Sequence, residues 1–189
     1  MDVGEKLQLF SPINQELTMN QFITSAQLRA KALRLVTLLK ENHFTVSTAE
    51  SCTGGLIAKT LTDIPGSSAC VAGGFVTYTN EIKIGVLGVD ASVIAEYTEV
   101  SEACAQAMAE CAQARMNTTF ALSATGFAGP DGGTKEDPVG TVYLGIADSN
   151  GASAKRIEAP IGASRAQVRT FAAFCALELL ERKIEEVEE

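Results

Sequence analysis

The sequence predicts a three-layer α/β domain in which a mixed β-sheet is flanked by helices. Strand and helix patterns alternate from residue 25 to residue 126, which is typical of parallel strands joined by helices. Two strand patterns then follow each other with only a short turn between them, which indicates an antiparallel pair. We expect one domain over residues 25–184, an appended arm at 1–24 and an acidic, solvated tail at 185–189.

The first third of the chain predicts a helix, a strand and a second helix. The first helix should run from Ser25, its N-cap, to about Glu41, because apolar residues recur with the spacing of one helix face at Leu28, Ala32, Leu35, Val36 and Leu39. Residues 44–47 read as a short buried strand. Residues 51–62 then read as a helix that the Ile-Pro-Gly sequence at 64–66 ends.

The middle of the chain predicts a strand between shorter and longer helices. Residues 70–79 are rich in β-branched and aromatic side chains, which favours a strand. Residues 80–89 read as a short helix with Asn80 as its cap and Gly88 at its end. The alanine-rich segment 101–115 is predicted to be a helix, with Ser101 as its N-cap and Glu102 in its first turn.

The last third predicts a strand, a hairpin and a long helix. Residues 119–126 form the next predicted strand, and residues 140–148 alternate apolar and other side chains. A Ser-Asn-Gly turn at 149–151 joins that strand to residues 152–160 as a hairpin. The last helix is predicted over residues 164–184, with one apolar face at Val168, Phe171, Ala172, Cys175 and Leu179.

Composition excludes several classes of protein. The chain has 189 residues, a formal net charge of −8 and a pI near 4.8 without a Lys/Arg run, so we expect no nucleic acid partner. Its five cysteines lack paired zinc spacing and it has a single histidine, so we expect no metal and a reduced, cytosolic protein. Charges interrupt every apolar stretch and no signal peptide pattern appears, so we expect a soluble, cytoplasmic protein without a membrane span.

The sequence TAESCTGG, residues 48–55, is the first candidate reaction centre. Ser51 follows a predicted strand and opens a predicted helix, so the backbone N–H groups of Cys52, Thr53 and Gly54 should point at whatever Ser51 attacks. The structural alternative is a serine that only caps an ordinary helix. The segment is not the G-x-S-x-G elbow of the α/β-hydrolases.

A serine hydroxyl needs a base that takes its proton. The only imidazole, His43, lies at the end of the first helix and on the far side of a strand from Ser51. The base would then be a lysine, a tyrosine or a carboxylate, and the sequence from the end of the next strand offers Tyr78 and Lys83. A lysine with an ordinary pKa of about 10.4 becomes a base when it is desolvated or placed beside other cations. The structural alternative is that Tyr78 is a packing residue and Lys83 a solvated helix residue.

A glycine-rich segment and one arginine are candidates for ligand binding. Residues 125–142 carry five glycines and two prolines, which suits a stiff loop that approaches an anion or a planar ring closely. The segment is neither a Walker A motif nor G-x-G-x-x-G. Arg165, in the first turn of the last helix, could bind a phosphate with its guanidinium group, although a surface helix arginine is the simpler interpretation.

Taken together, these motifs resemble the CinA C-terminal domain family. The resemblance covers about residues 25–183 and includes TAESCTGG, GGFVTYTNEIK, TGFAGPDGGT, PVGTVYLG and GASRAQVR in family order. Some members are nicotinamide-nucleotide amidohydrolases, so it implies hydrolysis of nicotinamide mononucleotide, a small-molecule partner, in pyridine nucleotide (NAD) recycling without a metal or cofactor. By resemblance, Ser51 is the nucleophile and Tyr78 and Lys83 activate it. Thr125, Gly126 and Arg165 bind the substrate, with Arg165 on its phosphate.

Some features leave alternatives open. The sequence does not decide between Tyr78 and Lys83 as the base, and Cys52 is a rival nucleophile. The family often has Gly-Ala where this chain has Thr98 and Glu99, which affects the expected local loop shape or a subunit contact. A non-catalytic nucleotide-binding or competence and DNA-damage accessory protein is the alternative function, and another nucleotide amide is an alternative substrate. Exposed apolar faces on the alanine-rich and C-terminal helices favour a homodimer.

Overall fold

The computed structural model describes residues 22–188. Its centre is a five-stranded sheet in the order β2-β1-β3-β4-β5. β1 runs parallel to β2 and β3, whereas β3, β4 and β5 are successively antiparallel. The strands are β1 (Val46–Glu50), β2 (Val71–Val76), β3 (Phe120–Gly126), β4 (Thr141–Asp148) and β5 (Gly151–Glu158). The predicted mixed sheet and the late hairpin are therefore confirmed.

Helices cover both faces of this sheet. α1, α2 and α6 pack together on one face, and α5 crosses β1, β3, β4 and β5 on the other. The helices are α1 (Ser25–Glu41), α2 (Leu56–Thr62), α3 (Asn80–Ile82), α4 (Ala91–Tyr97), α5 (Glu102–Met116) and α6 (Arg165–Glu188). Each face of the sheet has its own apolar core. The predicted three-layer α/β class is confirmed.

The helix faces that the sequence predicted are the buried ones. All five apolar positions predicted for α1 are buried. Ser101 caps α5 as predicted, because its hydroxyl accepts a hydrogen bond of 3.1 Å from the Cys104 N–H. On α6, Val168, Phe171, Ala172 and Cys175 are buried, and Leu179 packs against the same core.

Several predicted boundaries in the first half were wrong. α1 is capped by Thr24 rather than Ser25, because Thr24 and Gln27 form a reciprocal capping box and Ile23 packs into the core beside it. β1 occupies residues 46–50 instead of 44–47. The predicted helix over 51–62 begins only at Leu56, since Gly54 and Gly55 have φ angles of +60° and +89°, which a right-handed helix does not allow.

The connection after β2 also differs from the prediction. The cap of α3 is Thr79 rather than Asn80, and its hydroxyl accepts from the Ile82 N–H at 3.4 Å. The segment then widens into a π-helical turn over Lys83–Leu87 before it ends at Gly88 as predicted. α4 was not predicted. α6 begins at Arg165 rather than at residue 164, and it continues to Glu188, beyond the predicted end at 184.

The exposed apolar side chains lie elsewhere than the sequence predicted. α5 and α6 bury their apolar residues against the sheet, so the premise of exposed apolar faces on these helices was wrong. Large exposed apolar side chains occur instead near the β2 edge and the π-helical turn, at Val76, Ile82, Ile84 and Val86. The homo-oligomer itself stays a prediction.

Part of the predicted domain organisation lies outside the described residues. Residues 1–21 of the expected arm and Glu189 of the expected tail belong to that part of the chain. Within residues 22–188, the structure contains no helix with the length and apolar character that a membrane span requires.

Candidate active site

A pocket of about 390 Å³ opens beside the carboxyl ends of the three parallel strands. Ser51 follows β1 directly, and its N–H donates to the Ala124 carbonyl of β3 at 2.8 Å, so the strand pairing fixes its backbone. The pocket brings together all six site residues that the sequence predicted: Ser51, Tyr78, Lys83, Thr125, Gly126 and Arg165. This is the sheet edge where open α/β folds bind their ligands.

The backbone around Ser51 differs from the predicted helix N-terminus. Gly54 N–H donates to the Ser51 carbonyl at 3.0 Å, so it closes a tight turn and does not face the pocket as a free donor. Within residues 22–188, the N–H groups of Cys52 and Thr53 donate to no backbone carbonyl, and both lie beside the Cys52 sulfur. These two groups, rather than three, are the candidates for stabilising an oxyanion near Ser51.

Glu50 is a buried residue behind the pocket to which the sequence analysis gave no role. Its side chain is fully buried, and its carboxylate accepts from the N–H groups of Ile57 at 2.9 Å and Ala58 at 2.8 Å. The first turn of α2 therefore binds Glu50 and not the target of Ser51, contrary to the expectation. A carboxylate at the positive end of a helix is favourable, so this contact holds the end of β1 against the start of α2. The signal available in the sequence was the glutamate directly before Ser51.

Lys83 is buried beside Ser51, with only 1% of its surface exposed. Its Nζ lies 3.3 Å from Ser51 Oγ and donates to the Thr77 carbonyl at 3.1 Å. Desolvation by burial lowers the Lys83 pKa below its ordinary value, whereas the nearby Cys104, Glu99 and Cys52 act in the opposite direction. The alternative of a solvated helix lysine is therefore wrong. The π-helical turn that begins at Lys83 belongs to the segment that places this amine at Ser51.

Cys52 is close to the pocket but is poorly suited to be a nucleophile. Burial raises the pKa of its thiol to about 12, with the negative charge of Glu50 adding to the effect. The thiolate is the reactive form of cysteine, and this thiol stays protonated at neutral pH. Ser51 is only partly buried and has the Lys83 amine in contact, so it is the more accessible of the two candidates.

Tyr78 and Arg165 meet at the rim of the pocket. Arg165 Nη2 donates to the Tyr78 hydroxyl at 2.8 Å, and its Nη1 donates to the Gly129 carbonyl at 2.7 Å. Tyr78 is 58% exposed, and none of its hydrogen bonds within residues 22–188 reaches Ser51 or Lys83. The structure thus brings Lys83 to Ser51, and it brings Tyr78 to Arg165.

Thr125 and Gly126 form the wall next to Ser51. The buried Thr125 hydroxyl donates to the Glu99 carbonyl at 2.6 Å, which ties the segment before α5 to the end of β3. A Cβ atom on Gly126 would lie 2.5 Å from the Thr141 carbonyl oxygen, so the adjacent strand β4 excludes any side chain there. Both residues line the pocket, and both also have a structural role in shaping it.

The glycine-rich loop is anchored on its outer side. Asp137 accepts hydrogen bonds of 2.9 Å from both Tyr143 on β4 and Arg156 on β5. These contacts hold the loop from residue 127 to 140 against the hairpin while Gly129 and Asp131 line the pocket. Asp131 and Glu99 are further lining residues that the sequence analysis did not assign to the site.

The remaining predicted features lie away from the pocket. His43 is exposed in the turn after α1, at the opposite end of β1 from Ser51, as the sequence indicated. Within residues 22–188, no three His, Cys, Asp or Glu side chains are grouped so that they could hold a metal ion.

The fold and the pocket define an α/β domain with a serine and a buried lysine at the carboxyl ends of parallel strands. The chain belongs to the CinA C-terminal domain family, whose model matches residues 28–184. The resemblance read from its motifs is therefore confirmed.

Known proteins with similar sequences carry different names. The chain is 46% identical over 150 residues to a CinA-like protein of Geotalea uraniireducens, a match that covers 79% of this chain and 35% of that protein. It is 43% identical over 155 residues to the nicotinamide-nucleotide amidohydrolase PncC of Shewanella oneidensis, covering 78% and 36%. The chain thus spans about a third of the length of these relatives.

Solved structures show the same fold. The competence/damage inducible protein CihA of Agrobacterium tumefaciens superposes with a TM-score of 0.78 at 41% identity, over 86% of this chain and 98% of that one. A CinA superfamily protein of Klebsiella pneumoniae superposes with a TM-score of 0.79 at 30% identity, over 84% and 98%.

Proposed function

We propose that this protein is an amidohydrolase that converts nicotinamide mononucleotide to nicotinate mononucleotide and ammonia, in the recycling of NAD. The observation that carries the proposal is the distance of 3.3 Å between Lys83 Nζ and Ser51 Oγ inside the pocket. A buried amine with a lowered pKa is the kind of base that can activate a serine where no imidazole is available.

The first half of the reaction forms an ester on Ser51. Neutral Lys83 takes the hydroxyl proton while Ser51 Oγ bonds to the carboxamide carbon, and the carbonyl electrons move onto oxygen. The Cys52 and Thr53 N–H groups are the donors available for this oxyanion. Protonated Lys83 then gives its proton to the amide nitrogen, the C–N bond breaks, and ammonia leaves.

The second half releases the acid. A water molecule attacks the ester carbon and Lys83 takes one of its protons. The tetrahedral intermediate then expels Ser51 Oγ, which recovers a proton from Lys83. The product acid loses its remaining proton to solvent and leaves as the carboxylate of nicotinate mononucleotide, and both side chains return to their starting protonation states.

The choice of substrate has separate support. The Shewanella relative bears the name of a nicotinamide-nucleotide amidohydrolase. The volume of the pocket, about 390 Å³, is in the range of small-molecule sites. The exposed guanidinium group of Arg165 at the rim can exchange its contacts with Tyr78 and Gly129 for a phosphate, since arginine forks onto phosphate oxygens. No nucleic acid or membrane partner is part of this proposal.

Ammonia release from nicotinamide mononucleotide tests the proposal directly. We expect Ser51→Ala to lower kcat by at least about 10³-fold, as for other nucleophiles. Cys52→Ala is the matched control, because it alters the adjacent side chain and should keep kcat within about threefold, as a thiol held protonated takes no part in the reaction.

The outcomes separate the alternatives. Loss of activity in Cys52→Ala with full activity in Ser51→Ala would assign the reaction to the thiol. Binding of nicotinamide mononucleotide without ammonia release by the wild-type protein would favour the non-catalytic nucleotide-binding or competence and DNA-damage accessory protein. Release from another nucleotide amide only would replace the substrate and keep the chemistry.

A further inference from the structure

The residues that line the pocket include more acidic than basic side chains. Arg165 and Lys83 are its two cationic lining residues, whereas Glu81, Glu99 and Asp131 are acidic. The proposed base form of Lys83 is neutral, which leaves the lining with an excess of negative charge. A substrate whose only charge was a phosphate would gain nothing from that excess.

We propose that Glu99 is a specificity-determining residue, whose carboxylate selects a cationic, N-substituted pyridinium carboxamide over a neutral ring of the same shape. This inference rests on the proposed amidohydrolase function and assigns recognition of the pyridinium ring to Glu99. The pyridinium ring of nicotinamide mononucleotide carries a full positive charge next to the carboxamide that Ser51 would attack. Its reduced dihydropyridine form has no such charge.

The backbone of Glu99 is fixed next to the reacting end of the pocket. Its carbonyl accepts a hydrogen bond of 2.6 Å from the buried Thr125 hydroxyl, and Thr125 follows the residue whose carbonyl holds the Ser51 N–H. Thr98 before it has a left-handed φ of 71°, and Val100 after it is buried. The backbone that carries Glu99 is therefore held in place on both sides.

The Glu99 carboxylate acts on the reacting end and is not neutralised. It raises the pKa of Lys83, against the larger effect of burial, so its negative charge reaches the amine beside Ser51. Within residues 22–188 it forms no ion pair, unlike the carboxylates on α6. Glu99 is exposed and is one of the residues that line the pocket.

The other two acidic lining residues are less suited to this role. The Glu81 carboxylate is bonded to the Thr79 side chain and to its own backbone N–H at the start of α3, and this lowers its pKa. Asp131 lies in the glycine-rich loop, two residues after the Gly129 carbonyl that binds Arg165, and thus near the proposed phosphate end. Of the three acidic lining residues, Glu99 is the one whose charge raises the Lys83 pKa.

Binding to an unreactive protein tests this charge selection. Dissociation constants of oxidised and reduced nicotinamide mononucleotide are measured by calorimetry in Ser51→Ala and in Ser51→Ala with Glu99→Gln. We expect the second substitution to weaken binding of the oxidised form about tenfold, and to change binding of the reduced form less than about twofold, because Gln keeps the shape and removes the charge.

A matched control and a second measurement make the test decisive. Glu96→Gln removes a carboxylate three residues away on α4 that does not line the pocket, and it should change neither constant. In proteins with Ser51 intact, the KM of the oxidised form and the inhibition constant of the reduced form should give the same selectivity as the binding constants.

Two results would overturn the inference. If Glu99→Gln weakened binding of both forms equally, Glu99 would shape the pocket without recognising the charge of the ring. Unchanged binding of both forms would remove Glu99 from recognition. Failure of the proposed function is distinguishable from these results, since the wild-type protein would then release no ammonia from the oxidised form.

Discussion

The two ends of the pocket differ in how firmly the protein holds them. At the inner end, Lys83 is 1% exposed and is fixed by Ser51 and Thr77. At the rim, Tyr78 is 58% exposed and is held through the exposed guanidinium group of Arg165. Chemistry requires a group that is desolvated before the substrate arrives, whereas recognition of a phosphate requires donors that can leave their resting contacts. This difference supports the proposal that the reaction takes place at the inner end and that the rim binds the phosphate.

Replacing the inner amine should have the largest effect. We expect Lys83→Met to lower kcat by about 10³-fold, since positioned general bases contribute about 10²–10⁴-fold. Methionine fills similar space without a charge, and it removes the cost of desolvating an amine at neutral pH. That gain offsets the lost hydrogen bond to the Thr77 carbonyl, so the free energy of unfolding should change little. Ammonia release and thermal unfolding are measured on the same samples.

Tyr78→Phe is the matched control for the inner end. It removes a hydroxyl that is bonded to Arg165, so kcat should stay within about fivefold of the wild type. The assignment of the two ends would be reversed if Tyr78→Phe lost activity while Lys83→Met kept it. An unfolded Lys83→Met protein would instead indicate that the lysine holds the structure together.

The pH dependence should report the same amine. The Lys83 pKa is lowered by burial, so the base form is present above this lowered pKa and is lost as the pH falls through it. We expect kcat/KM to fall about tenfold per pH unit on that acid limb. The groups that face Lys83 and raise its pKa are Cys104 on α5, Glu99 before α5 and Cys52 after β1.

Glu99→Gln identifies the titrating group. Removal of its negative charge should move the acid limb to lower pH, because Glu99 stabilises the protonated amine. The second ionisation of the substrate phosphate also lies near pH 6, but a limb from that group would not move in the variant. If the acid limb of the kcat/KM profile stayed at the same pH in Glu99→Gln, Lys83 would not be the base.

The order of the elements was predictable because each strand and most helices have a clear local pattern. The α1 face and the Ser101 cap depend on neighbours within one or two turns of helix. The start of α2 was not predictable in the same way. The sequence showed Ser51 as a good cap, but Gly54 and Gly55 adopt left-handed angles, and the first N–H groups of α2 bind the carboxylate of Glu50, seven residues earlier.

The site was predictable as a set of motifs but not as an arrangement. Nothing local distinguishes Lys83 from a solvated helix lysine. Its position depends on the π-helical turn and on the contact with Ser51, which lies just after β1 and 32 positions earlier in the sequence. The pairing of Tyr78 with Arg165 joins residues 87 positions apart. Such contacts follow from the strand order, which the sequence pattern left open.

Substitution of Arg165 at the rim should have a smaller effect than substitution of Lys83. We expect Arg165→Ala to raise the KM for nicotinamide mononucleotide about tenfold and to leave kcat within about twofold, because the lost phosphate contact is made equally in the ground state and the transition state. Nicotinamide riboside, which lacks the phosphate, should be processed equally by both proteins. Arg165 also holds Gly129 and Tyr78 in the free protein, and a purely structural role would impair both substrates alike. A fall in kcat with unchanged KM would place Arg165 among the reacting groups, and it would contradict the proposal that the rim serves only binding.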